Sequence, residues 1–127
     1  MDFIYEVTSS KSFEDVVTAV QDQTQANGFR VLYTHDVQAT LSEKNFIREP
    51  LKIIEICNAK YASNALKIEV SVSLLMPCRI NVYPKEGKMV ISTVRPKALV
   101  TMFQKPELED FANEVENILI KIIDDSK

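Results

Sequence analysis

Glycine is nearly missing from this chain: two occur in 127 residues, Gly28 and Gly87, and each falls where a turn is expected. Phosphate-binding loops and dinucleotide fingerprints need several glycines within a few positions of one another, so nucleotide sites of those kinds are excluded. Histidine is scarcer still. With His35 alone, a Ser-His-Asp or Cys-His mechanism would hang on one residue at the end of a strand, and a partly exposed side chain beside Asp36 is the preferred reading. Basic residues are not in excess: 15 Lys and Arg stand against 18 Asp and Glu, a net charge of -3. The phosphate-neutralising surplus of a nucleic-acid binder is therefore absent, and no nucleic-acid partner is expected. The longest uncharged stretch, Val70 to Cys78, falls well short of the roughly 18 apolar residues of a spanning helix. No basic leader follows Met1-Asp2-Phe3, so neither export nor a membrane partner is expected and the expected location is cytoplasmic. Two cysteines in such a chain stay reduced. No motif implies a cofactor.

What is present is an ordinary core-forming composition, 46% hydrophobic and 26% charged, which fits one domain over residues 1–127. Phe3-Ile-Tyr5-Glu-Val7 alternates as a strand, and Ser12 and Asp15 form a near capping box ahead of Phe13, Val16, Val17 and Val20 at helical spacing. Gly28 ends that helix, and Phe29, Val31 and Tyr33 alternate again. Residues 36–50 are mostly polar and suit a short helix and a loop. Leu51 to Cys57 reads as a buried strand, with Asn58 capping a short helix through Leu66. A hairpin follows, Cys78 to Tyr83 and Met89 to Val94, joined by Pro84-Lys-Glu-Gly87. Pro106 and Glu107 open a C-terminal helix with Leu108, Phe111, Ala112, Val115, Leu119 and Ile122 on one face. The order predicts an α+β fold with an antiparallel-rich sheet. The 12–27 and 107–124 helices cover one face of it, with Phe111 and Val115 buried.

The chain resembles the uncharacterised bacterial and archaeal domain-of-unknown-function family 302. The resemblance runs through Ser12-Phe13-Glu14, Gly28-Phe29-Arg30-Val31-Leu32, Asp36-Val37, Lys44, Cys57-Asn58-Ala59 with Ala62, and Leu74-Leu75-Met76-Pro77-Cys78-Arg79. Ala59 replaces the family's usual proline, and Met76 stands where leucine is common. The resemblance implies a strand, a helix, four strands and a helix, a β-α-β4-α layout like that of the TATA-binding protein. It implies no activity.

Cys57 and Cys78 each close an apolar strand-like run, Leu51 to Asn58 and Val72 to Arg79. Cys57 falls just before a helix N-terminus, where a thiolate is stabilised by the dipole and unpaired amides. The competing reading of both cysteines is a small hydrophobe in the core. Asp36, Lys44 and Asn58 are the polar residues expected to share a pocket with them. A zinc set of His35, Asp36, Cys57 and Cys78 has suitable donors but lacks the paired ligand spacing of structural zinc sites. The Leu99 to Phe103 run reads as core, or as the surface of a homodimer. Three functions remain open. The first is a non-catalytic binding or regulatory domain holding a small-molecule ligand near Cys57, Asn58 and Cys78. The second is a thiol-dependent redox or metal-handling protein using the two cysteines, and the third is a structural homodimer.

Overall fold

Residues 2–127 are described by a computed structural model, so Met1, the first residue of the expected 1–127 domain, lies outside it. The alternating segments pair into one sheet: β1 (Ile4–Ser9), β2 (Arg30–Asp36), β3 (Lys52–Cys57), β4 (Cys78–Lys85) and β5 (Lys88–Val94), in the order β1-β5-β4-β3-β2. Every neighbouring pair is antiparallel. The two long helices are α1 (Phe13–Ala26) and α5 (Glu109–Ser126), and they share one face of the sheet. Val16 and Val20 of α1 and Leu119, Ile122 and Ile123 of α5 meet Ile54, Ile56, Ile80, Val82 and Ile91, all with no exposed surface. The fold is α+β in a β-α-β4-α framework. Onto it are added α2 (Val37–Ser42), α3 (Ala59–Ile68) and α4 (Lys97–Phe103).

Local chemistry sets the element ends. The Ser12 hydroxyl accepts the Asp15 N–H at 3.1 Å, which caps α1. Gly28 leaves the helix at φ +79°, a conformation that costs glycine little. The β4–β5 hairpin turns on Glu86 and Gly87, both at positive φ, a two-residue connection matched to the twist of the strands. Pro84 is thus part of β4 and not of the turn. It lies beyond the last β3–β4 pair, Lys52 with Val82, where no ladder hydrogen bond is lost. In β2 the register slips between Val31 and Tyr33, leaving Leu32 as a bulge.

Two expectations are corrected. The Val72 to Met76 run is not a strand but a 3-10 turn over Val70–Leu75, and Cys78 opens β4 instead of closing a strand. The run lies between α3 and β4 and joins no strand of the sheet. The Glu69 carboxylate accepts the Ser71 N–H and starts the turn, and only Val72 is buried. Phe111, expected in the core beside Val115, is half-buried. It bridges the main core and a smaller cluster of Ala65, Val72 and Leu108, with one side turned to open space.

Candidate functional site

Strand alternation makes the sheet two-faced. The even-numbered positions of β4 and odd-numbered positions of β5 turn to α1 and α5, leaving Arg79, Asn81, Ser92 and Val94 on the face without long helices. The register arranges that outer face in rows. One row runs Ile4, Val94, Arg79, Glu55 and Tyr33, and the next runs Glu6, Ser92, Asn81, Ile53 and His35. Glu55 stands between Arg79 and Tyr33 in the first row, 3.8 Å from Arg79 Nε and 3.3 Å from His35 Nε2. The His35 ring meets Tyr33 edge-on at 4.6 Å.

At one end of this face α4 stands over the sheet and encloses a cleft of about 450 Å³. Ile4, Val94, Leu75 and Met102, four of the large apolar side chains that remain exposed, converge on it, joined by Leu99, Ala98 and Phe111. Arg79, Asn81, Ser92, Thr93 and Arg95 supply the polar lining, and no Asp, Glu or His contributes. The two arginines differ. Arg95 lies over the Tyr5 ring at 5.2 Å and 3.6 Å from the buried Glu116 carboxylate, so its charge is already matched. Arg79 is about half exposed, and its ion pair to Glu55 through Nε is long.

The α4 wall is pinned from outside its own sequence. No side chain caps the helix locally. Glu116 of α5 reaches across, accepting the Lys97 N–H at 3.4 Å and pairing with Lys97 Nζ at 3.7 Å. Tyr5 ties the same corner to the end of α5 by donating its hydroxyl to Asp124. That hydrogen bond to a carboxylate is the main reason the phenol is held above its ordinary pKa, with burial adding to it.

A second, much smaller depression of about 30 Å³ lies where α3 leaves β3. Cys57, Asn58, Met76, Pro77 and Cys78 line it with Phe29, Tyr61 and Phe111. The Met76–Pro77 peptide is cis. Both cysteines are free thiols. Burial pushes the Cys78 thiol up to about 11, with the neighbouring Cys57 adding to the rise and Arg79 opposing it. Cys78, Pro77 and Phe111 line both cavities, so the depression and the cleft are back to back.

Of the residues singled out from sequence, the structure gathers Cys57, Asn58 and Cys78. Asn58 is a structural tie: its Oδ1 accepts the Tyr61 N–H at 3.2 Å as the α3 cap, and its Nδ2 donates to the Gly28 carbonyl at 3.0 Å. Asp36 and Lys44 are not brought to them. Asp36 pairs with Lys52 while Cys57 pairs with Arg30 at the other end of the same ladder, about 17 Å away at ~3.4 Å per residue. There Asp36 caps α2 through the Ala39 N–H, and Lys44 is exposed past the end of α2. His35 stands beside Asp36, so the zinc set His35, Asp36, Cys57 and Cys78 is split between the two ends of the β2–β3 ladder. Among the described residues no three His, Cys, Asp or Glu side chains gather as a metal site.

The cleft went unread in the sequence because its walls are distant segments: the start of β1, the start of β4, the end of β5, and α4. The one available signal was Arg79 and Asn81 alternating with buried Ile80 and Val82. Among the described residues, no helix is long and apolar enough to cross a membrane.

The model of a family described as a domain of unknown function, DUF302, matches residues 5–126. The crystal structure of an uncharacterized conserved DUF302 protein from Bacillus stearothermophilus is similar over 100% of both chains, with a TM-score of 0.94 and 28% sequence identity. No curated protein matches.

Proposed function

The chain belongs to the DUF302 family, and on that premise we propose that it is a non-catalytic binding domain whose ligand occupies the cleft between the outer sheet face and α4. The observation that carries this reading is the cleft itself. Its volume of about 450 Å³ falls in the size range of small-molecule sites, which combine an apolar lining with a few placed polar groups. Exposed apolar side chains scattered singly need no explanation, but Ile4, Val94, Leu75 and Met102 converge on one concavity. Leaving them wet costs roughly 25 cal/mol for each Å² that a ligand could cover.

The lining also specifies the ligand's chemistry. Two arginines, an asparagine and a serine face the cleft with no carboxylate, so the fit is an apolar body with an acceptor or anionic end at Arg79, Asn81 and Ser92. Catalysis finds no support there. No His, Asp or Glu lines the cleft to move a proton, and the Cys78 thiol at its edge stays protonated near neutrality.

Anilinonaphthalene sulfonate, an apolar fluorescent anion, tests the reading. It should bind saturably to the folded chain. Val94→Asp should abolish binding by placing a like charge on the rim, and Arg79→Gln should weaken it about tenfold, the loss of one charge-assisted hydrogen bond at ~1.5 kcal/mol. Fluorescence that ignores both substitutions would remove the cleft from consideration.

A further inference from the structure

The single histidine of the chain stands on the outer face of the sheet, one carboxylate away from the cleft. His35 Nε2 is 3.3 Å from one oxygen of Glu55, and the other oxygen is 3.8 Å from Nε of Arg79. One carboxylate thus serves two partners, one always cationic and one whose charge depends on pH. The register fixes this arrangement. Glu55 of β3 pairs with Tyr33 on one side and Arg79 on the other, and His35 pairs with Ile53, the next position along β3 on the same face. The groups around His35 come from the neighbouring strands. Glu55 and Arg79 approach from β3 and β4, and the Tyr33 ring meets the imidazole edge-on at 4.6 Å. Glu6 of β1 closes the same row four strands away, about 19 Å at ~4.8 Å per strand. The adjoining ladder pair, Asp36 with Lys52, alternates to the other face, and Asp36 is engaged as the α2 cap.

We propose that protonation of His35 tightens anion binding in the cleft by drawing Glu55 away from Arg79. The proposal rests on the reading of the cleft as a ligand site with its anionic end at Arg79, and it adds a regulation of that site. Histidine changes charge between about pH 5 and 8. While His35 is neutral, Glu55 offsets Arg79 and the three side chains carry no net charge. Once protonated, His35 engages the carboxylate from the nearer side and the three carry one positive charge. Arg79, which lines the cleft, presents that charge to the ligand. Both pairs are partly exposed, so the step is modest, about threefold in affinity, as for solvent-exposed ion pairs. The coupling is reciprocal: a bound anion must strengthen the hold of His35 on its proton by the same factor.

The test compares two dyes on the full chain. Anilinonaphthalene sulfonate keeps its charge across this pH range, and phenylnaphthylamine is the same apolar body without the sulfonate. The sulfonate should bind about threefold tighter at about pH 5.5 than at about pH 8, and the neutral dye equally at both. His35→Gln should hold the sulfonate at its pH 8 affinity throughout. Glu55→Gln should bind it at pH 8 about as tightly as the wild-type chain does at the lower pH, because Arg79 is then unopposed. A direct readout needs no variant: with one histidine in the chain, its imidazole proton resonances are unambiguous. Their titration midpoint should rise by about half a pH unit on saturation with the sulfonate, the same threefold. A midpoint that saturating sulfonate does not move, or a pH dependence that survives in His35→Gln, would overturn the proposal. Either result with both dyes bound would leave the cleft reading standing, whereas binding of neither dye would remove both.

Discussion

Cys78 is the residue whose chemistry most depends on its surroundings. With its thiol pushed up to about 11, only roughly one molecule in a thousand carries the thiolate at pH 8, so iodoacetamide should label Cys57 well before Cys78. The same rise makes stability depend on pH. An unfolded thiol ionises near ~8.5 while the folded one keeps its proton. From there to about 11 the native state therefore holds the extra proton, and stability falls as pH rises. The contribution is fully present below the unfolded value. Urea unfolding at several alkaline pH values should show wild type losing its advantage over Cys78→Ala, and a difference independent of pH would contradict the burial. Tyr5, held above its ordinary range by Asp124, adds to alkaline loss in the same direction. Asn58 shows the limit of residue-level reading. Its capping role was legible from its place before a helix, but the Gly28 carbonyl it also holds lies thirty positions away.

Among the elements, α4 depends most on its neighbours. Its only capping carboxylate comes from α5, so Glu116→Ala should cost ~1–3 kcal/mol through the unpaired Lys97 amide and the lost ion pairs. Hydrogen exchange should locate the effect, with amides of residues 97–103 exchanging faster and those of β4 and β5 unchanged. If the whole sheet loosened equally, Glu116 would be a general core residue and not the pin of the cleft wall. The C-terminal helix separates two kinds of position. Leu119 has no exposed surface, and Leu119→Ala should cost ~2–5 kcal/mol in urea unfolding. Phe111→Ala should cost less than the ~3–5 kcal/mol of a fully buried phenylalanine, because part of that ring already faces the cleft. The long helices were readable because their apolar residues recur at helical spacing over several turns. The Val70–Leu75 turn was not, because a short apolar run has no decisive period.

For the whole molecule, the sheet is protected on one face and open on the other. The apolar stretch from Leu99 to Phe103, read as core or as a dimer surface, is divided by the fold. Val100 and Phe103 pack on the small cluster with Leu108, and Leu99 faces the cleft, while Met102 is 61% exposed. A homodimer formed there would use the same rim as a ligand, Ile4, Val94 and Met102. Sedimentation should therefore show any such dimer dissociating on saturation with the fluorescent anion. A dimer indifferent to the anion would place its contact elsewhere.

The α+β class, the five strands, the two long helices and most of their ends follow from the sequence alone, because period, caps and turn residues act over a few positions. The scarcity of glycine likewise excluded P-loop and dinucleotide sites without coordinates, and a single histidine argued against a Ser-His-Asp or Cys-His arrangement. Tertiary structure decided what lies together. It set Cys57 beside Cys78 and Asp36 at the far end of the ladder, turned Arg79 and Asn81 toward α4, and brought Glu116 to a helix that has no cap of its own. Each of those contacts joins segments far apart in the chain. Strand order and register fix them, and both are set by how the whole core closes and by no local pattern.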